Sequence, residues 1–201
     1  MYANQHLENL SEIRNLMNRS VKFLSLSGLS GVFAGVYAII AAFVVFSYLD
    51  YSLYINSYAI RDIQFLVLVA LVTLLLTITT AYFLTKNKAK KNQVKLWDKT
   101  SKKAFYQMAT PLFCGGVICL ILIVTNKFGL VSPFTLIFYG LSLVSVSEYT
   151  FKTIKFLGFF EILLGAINLV LIGYGIVFWV IGFGLLHIIY GSFMYYKYDR
   201  K

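Results

Sequence analysis

The stretch Ile63-Gln-Phe-Leu-Val-Leu-Val-Ala-Leu-Val-Thr-Leu-Leu-Leu-Thr-Ile-Thr-Thr-Ala-Tyr-Phe-Leu-Thr85 carries no charge, and it runs straight into Lys86, Lys88, Lys90 and Lys91. A helix needs about 20 apolar residues to cross the hydrocarbon layer of a bilayer, so the uncharged part has the length of one span. The lysines that follow mark the side on which this span ends, because positive charge is retained in the cytosol. Five more apolar stretches surround this one. The spans expected are 24–48, 63–85, 108–125, 130–147, 154–172 and 176–196.

Composition agrees with a membrane solvent. The chain has 201 residues, of which 59% are hydrophobic, and its mean hydropathy is +0.77. Soluble domains are about 45–50% apolar. Six spans use up nearly all of the chain, which leaves no room for a soluble catalytic domain. The first apolar stretch is too long for a cleaved secretory leader, and Glu8 and Glu12 precede it, so it reads as a retained span.

Charge sets the orientation. With the N-terminus in the cytosol, sixteen of the eighteen lysines and arginines fall on the cytosolic side, leaving Arg61 and Lys127 outside. An odd number of spans would destroy this separation. The expectation is an all-α, polytopic six-helix bundle with both termini cytosolic. Ahead of it, residues 1–23 place Leu7, Leu10, Ile13, Met17 and Val21 at helical spacing, with Glu8, Glu12 and Arg14 on other sides. That pattern predicts an amphipathic helix on the cytosolic membrane surface, followed by a six-span domain over 24–201.

Between the second and third spans lie Lys86, Lys88, Lys90, Lys91, Lys95, Lys99, Lys102 and Lys103, interleaved with Val94, Leu96 and Trp97. Lysines near anionic headgroups contribute about 1 kcal/mol each, and Trp97 is suited to anchor in the interface. Contact with anionic lipid is therefore the expected role of this loop. Nucleic-acid binding is not expected, since a basic loop is what the orientation already requires. Tyr48, Tyr51, Tyr54 and Tyr58 at one edge, and Tyr190, Tyr195, Tyr196 and Tyr198 at the other, read as aromatic belts rather than ligand sites.

Lipid is as apolar as a leucine side chain, so spans associate where small residues let backbones approach. Ser27, Gly31 and Gly35 form such a stripe on the first span, and Thr73, Thr77 and Thr80 form a polar stripe on the second that is expected to match it. Pro111 and Pro133 fall in the expected first turns of their spans, where a missing amide hydrogen costs little. Residues 116–123 also align without a gap on 165–172, and residues 35–40 align more loosely. This alignment suggests three similar helical hairpins.

Glu161 and His187 are the ionisable residues set deepest in the expected spans. Charged residues cost roughly 2.5–3.5 kcal/mol at a helix centre on insertion scales, so each needs a partner or a purpose. Gly158, Glu161, Gly165 and Asn168 share one face of the fifth span, and Gly184, His187 and Gly191 share one face of the sixth. A short connection makes these two helices antiparallel neighbours. Counting about 1.5 Å per residue from the cytosolic ends puts Glu161 and His187 at depths that agree to about one turn. The flanking glycines would let the two backbones close until carboxyl and imidazole meet.

Three roles are open to such a pair. It can be an interhelical clamp, a proton relay or gate built on a histidine that titrates near neutral pH, or a catalytic pair. Catalysis lacks a nucleophile nearby in sequence. Cys114 and Cys119, the only cysteines, point to different sides of one helix and read as packing residues. A metal site wants three or more ligands, and a bis-histidine haem site is excluded because His6 lies in the surface helix. No cofactor is expected.

The runs Phe23-Leu-Ser-Leu-Ser-Gly-Leu-Ser-Gly31, Ala34-Gly-Val-Tyr-Ala38, Thr135-Leu-Ile-Phe-Tyr-Gly140 and Gly182-Phe-Gly-Leu-Leu-His-Ile-Ile-Tyr-Gly191, closing on Tyr195-Tyr-Lys-Tyr-Asp199, carry a resemblance. It covers most of the chain, which resembles uncharacterised small six-span membrane proteins of Bacteroidota. The resemblance implies a bacterial cytoplasmic membrane and brings no activity to any residue. The functional expectation is a non-enzymatic accessory or scaffold component of that membrane, as a homo-oligomer or with a membrane-protein partner. The alternative is a small proton-linked transporter or channel using Glu161 and His187, with Asn168, Thr73 and Ser142 as lining.

Overall fold

The computed structural model describes residues 26–48, 60–93 and 96–200. The expected surface helix over 1–23, the outer tyrosines Tyr51, Tyr54 and Tyr58, and Lys95 lie outside the described residues. Among the described residues the fold is helical, with six segments long and apolar enough to cross a membrane. They are α1 (Gly28–Tyr48), α2 (Ile60–Lys91), α3 (Lys99–Val124), α4 (Val131–Val146), α5 (Lys152–Val170) and a compound sixth span. That last span runs through α6 (Gly175–Trp179), a wide π-helical segment Val180–Leu186, α7 (His187–Met194) and a closing π-turn Tyr195–Asp199.

Helix boundaries depart from the hydropathy boundaries where polar residues carry the helix past the hydrocarbon. α2 continues to Lys91, and Gln93 then takes a left-handed φ of 54°. α3 starts nine residues before the expected 108, because Asp98 and Ser101 form a reciprocal capping box. Ser101 N donates to Asp98 Oδ1 at 2.7 Å and Asp98 N donates to Ser101 Oγ at 2.7 Å. The lysine-rich stretch is therefore two helix ends with a short connection, not one loop. Pro111 in turn lies inside α3 rather than in its first turn, whereas Pro133 is in the first turn of α4. At its other end α3 closes on Asn126 at φ 59°, with Lys127 N donating to Leu122 O at 2.8 Å and Asn126 N to Ile123 O at 3.1 Å. Those two bonds satisfy carbonyls that the helix end would otherwise leave open.

Two antiparallel seams of glycine hold the bundle. In the first, α1 packs along the sixth span: a Cβ on Gly31 would lie 3.1 Å from Gly191 Cα, and one on Gly35 would lie 2.6 Å from Gly184 O. In the second, α4 packs along α5, where Gly140 and Gly158 face each other and a Cβ on either would come within 2.7 Å of the other's carbonyl oxygen. Gly165 continues this seam against Ile137 and Pro133 O. The Ser27–Gly31–Gly35 stripe thus faces the sixth span and not the threonines of α2. The sixth span meets it with Gly184 and Gly191 whereas α2 has no glycine, and two facing glycines permit a closer approach than glycine against threonine.

The glycines aligned by the hairpin repeat do not all take the same place. A Cβ on Gly116 would meet nothing within 4 Å, and it is the neighbouring Gly115 that packs, against Phe138. Gly35 and Gly165 are packed alike, each against a carbonyl and the isoleucine four residues beyond it on the facing helix, whereas Gly116 is open. α3 lies along α4, and α2 lies along α1, where Tyr37 and Thr80 hydroxyls are 3.2 Å apart. The outer faces of α2 leave Leu68, Leu75, Ile78 and Phe83 exposed. An apolar core of Ala104, Leu143, Val146, Phe151, Ile154, Leu157 and Met194 joins the lysine-rich ends of α3, α4, α5 and the sixth span.

Candidate functional site

Glu161 sits at the middle of α5, and His187 opens α7 directly after the π-helical segment. Their side chains meet: His187 Nδ1 is 3.5 Å from Glu161 Oε1. The depth match read from sequence therefore holds, but the route to contact differs from the one expected. Gly158 and Gly165 are used against α4, and Gly184 and Gly191 against α1. The residue that lets α5 and the sixth span close is Gly182, where a Cβ would lie 2.6 Å from Glu161 Oε2 and 2.6 Å from Leu136 Cδ2. A side chain at 182 would expel the carboxyl from its place.

Both ring nitrogens of His187 have closer partners than Glu161. Nδ1 lies 3.0 Å from Gly182 O, and Nε2 lies 2.7 Å from the Tyr139 hydroxyl. A carbonyl only accepts, so Nδ1 carries the hydrogen and donates it, and in the neutral ring Nε2 accepts from Tyr139. Tyr139 comes from α4, so the three side chains tie together the fourth, fifth and sixth spans. Phe183 encloses them, with its ring 5.0 Å from that of Tyr139. Glu161 is 0% exposed and His187 6%. Neither carboxyl oxygen of Glu161 has a hydrogen-bond partner.

Tyr139 was not legible as a partner. It stood inside Thr135-Leu-Ile-Phe-Tyr-Gly140 as one more aromatic in an apolar span, although a tyrosine so far from either bilayer edge is itself a signal, since its hydroxyl must be satisfied. Asn168 is equally buried but stands apart, two turns beyond Glu161. Its Nδ2 donates to Leu171 O at 3.1 Å, closing the end of its own helix, and its Oδ1 has no partner. The other residues considered as lining bond locally. Thr73 donates to Val69 O at 2.8 Å and Ser142 to Tyr139 O at 2.7 Å.

A second polar constellation, also unexpected, lies at the lysine-rich end. Asp199, in the last turn of the sixth span, accepts from Lys88 Nζ at 2.6 Å, from Gly28 N at 2.8 Å and from Ser27 Oγ at 3.1 Å. Lys88 also donates to Leu26 O at 2.8 Å and sits 5.4 Å from the Phe151 ring centroid. Phe151 in turn stacks on Tyr198. The clasp caps the start of α1, ends α2 and closes the sixth span, so these three helix ends share one side of the bilayer. It removes Lys88 from the set of lipid-facing lysines. Lys86, Lys90, Lys91, Lys99, Lys102 and Lys103 remain exposed, as does Trp97.

The model of the TMEM128 protein family matches residues 15–150. That segment holds the first four spans with Lys88 and Tyr139, whereas Glu161, His187 and Asp199 lie beyond it. Comparison with the curated proteins and with the solved structures finds no match. A family match over about two-thirds of the length, on a bundle with six apolar helices, places the chain in the TMEM128 protein family as a multi-pass membrane protein.

Proposed function

We propose that this chain is a non-enzymatic accessory or scaffold component of a bacterial cytoplasmic membrane, with both termini in the cytosol. The observation that carries the reading is how Glu161 is enclosed. Its side chain is 0% exposed, a Cβ on Gly182 would lie 2.6 Å from its Oε2, and its Oε1 stands 3.5 Å from His187 of the sixth span, a fit that uses no substrate. In this role the Tyr139–His187–Glu161 set is an interhelical clamp. Interhelical hydrogen bonds inside a membrane contribute about 0.6–2 kcal/mol each, enough to select one packing of three helices.

The concentration of basic residues at the ends joined by the clasp supports this orientation. The exposed lysines Lys86, Lys90, Lys91, Lys99, Lys102 and Lys103 face anionic headgroups there, with Trp97 and Phe105 at the same level. The bacterial assignment rests on the resemblance to Bacteroidota six-span proteins. Partners are a second copy or another membrane protein.

A second reading, a small proton-linked transporter or channel, is favoured by one observation: the unpartnered carboxyl oxygens of Glu161 beside an imidazole. Mass spectrometry of the protein purified gently from its native membrane separates the two. A stoichiometric protein partner is the expected result. A lone oligomer carrying a defined small ligand, together with proton flux in vesicles lost in Glu161→Gln, would replace the scaffold reading with the transporter.

A further inference from the structure

The polar set in the bundle interior has an arrangement that a clamp does not require. Tyr139 Oη, His187 Nε2, His187 Nδ1 and Glu161 Oε1 follow one another, with 2.7 Å between the first pair of atoms and 3.5 Å between the second. A hydroxyl, an imidazole and a carboxyl in this order make a path along which a proton moves by bond exchange once Nδ1–H turns from Gly182 O to Oε1. The carboxyl end is unsatisfied. Neither Glu161 oxygen has a hydrogen-bond donor, His187 Nδ1 stands 3.5 Å from Oε1, and a Cβ on Gly182 would lie 2.6 Å from Oε2, so the space beside the carboxyl is tight. The ligand that fits this position is a proton.

We infer that Tyr139, His187 and Glu161 form a single proton-binding site, with Glu161 as the group that holds the proton and Tyr139 as the end through which it exchanges. Tyr139 takes the exchanging end because it stands at the far end of the set from Glu161 and is the one of the three that is partly exposed. Loading an ionised Glu161 breaks the Nδ1–H bond as an Oε1–H bond forms. In the same concerted step the ring takes the Tyr139 hydroxyl hydrogen at Nε2 and the Tyr139 oxygen takes one from a hydronium ion that reaches it, so neither ring is left as an anion. One proton passes from water to Glu161, and nothing is oxidised or reduced.

Loading has a structural consequence. Before it, Nδ1–H donates to Gly182 O, a carbonyl of the π-helical segment. After it, Nδ1 carries no hydrogen and its bond to that carbonyl is lost. Proton occupancy and the local winding of the sixth span are thereby linked, as expected where a π-helical turn sits at a working site. The groups facing the site are few. Tyr139 faces it from α4, His187 and the neighbouring Tyr190 from the sixth span, and α1 carries no charged residue.

Infrared difference spectroscopy of the whole protein in lipid nanodiscs tests the inference, with pH steps in H2O and D2O. The wild type is expected to show a carboxylic-acid carbonyl band that depends on bulk pH, shifts in D2O and is missing in Glu161→Gln. Tyr139→Phe, which removes only a hydroxyl, is expected to keep the band and slow its deuterium exchange roughly 100-fold, the scale of a lost positioned proton donor. His187→Gln, whose amide still reaches Gly182 O but relays nothing, is expected to slow it likewise. Exchange in Tyr139→Phe at the wild-type rate would overturn the assignment of the exchanging end. A Glu161 that shows no acid band at any pH tolerated by the fold would overturn the site itself. The inference concerns loading, not flux. It stands or falls separately from the scaffold reading, which depends on co-purifying chains and vesicle flux.

Discussion

Asp199 offers the sharpest test of how the bundle is closed. Replacing it with alanine removes the acceptor for three donors at once: the Lys88 ammonium, the Gly28 amide that begins α1, and the Ser27 hydroxyl. The side chains of Lys88 and Asp199 are only 13% and 8% exposed, so bulk water replaces little of what is lost. Breaking a buried ion pair by removing one partner costs about 3–5 kcal/mol, and partial hydration of this pair at the membrane edge brings the expected loss to about 3 kcal/mol. Lys88→Met is expected to cost less, about 2 kcal/mol, because Asp199 keeps two neutral donors. In the double variant the pairwise bond is already gone, so the combined loss falls short of the sum by about 1–2 kcal/mol. Equilibrium unfolding of the detergent-solubilised protein by increasing dodecyl sulfate measures all three. Moderate salt is expected to change the values little, unlike those of an exposed pair. An Asp199→Ala loss below about 0.5 kcal/mol, the range of unimportant surface changes, would refute the clasp. Strict additivity would show that Lys88 and Asp199 do not act on each other.

Other expectations follow from the same coordinates. Gly191→Ala places a methyl group 2.5 Å from Val32 N and 2.7 Å from Gly28 O, both backbone atoms, so the first and sixth spans must part at a cost of about 3 kcal/mol in the same unfolding assay. Gly116→Ala, with open space around it, is expected to be neutral or slightly stabilising. Burial raises the Asp98 carboxyl, but the hydrogen bonds from Ser101 and Thr100 outweigh it and hold the group below its ordinary value. A carboxyl depressed in the folded state adds stability above its unfolded pKa and loses it as pH falls through the folded one. The α3 cap should therefore weaken only below about pH 4, and Asp98→Ala should cost about 1 kcal/mol at neutral pH and nothing extra in acid, as read by helical circular dichroism. His187→Phe and Glu161→Gln are expected to destabilise by comparable amounts with a less than additive double variant; additive losses would mean the contact carries no energy.

The six spans were legible because each is an unbroken apolar run of bilayer length, and that signal needs no knowledge of neighbours. Glu161 and His187 stood out for the same reason, as exceptions within such runs. Which faces pair was not legible. A glycine stripe announces a close approach without naming its partner, and the first span's stripe fits the sixth span through Gly184 and Gly191, more than a hundred residues away in sequence. Helix ends beyond the hydrocarbon were hidden for another reason. Asp98 with Ser101 is a capping signal readable from spacing, but a hydropathy reading that begins at the first apolar residue passes over it. The role of Asp199 was beyond reach, since a lone acid in a basic tail gives no hint that it will reach Ser27, Gly28 and Lys88.

The pairing of the first span with the last sets the order in which this protein can mature. As the chain leaves the ribosome, the glycine face of α1 enters the bilayer and waits through the insertion of four more helices for the only surface among the described residues that fits it. Until the sixth span arrives, that face is held by lipid or by a membrane chaperone, and the start of α1 has no Asp199 to accept its amide. A chain terminated after α5 would insert all five of its spans and still present an open seam and an uncapped helix.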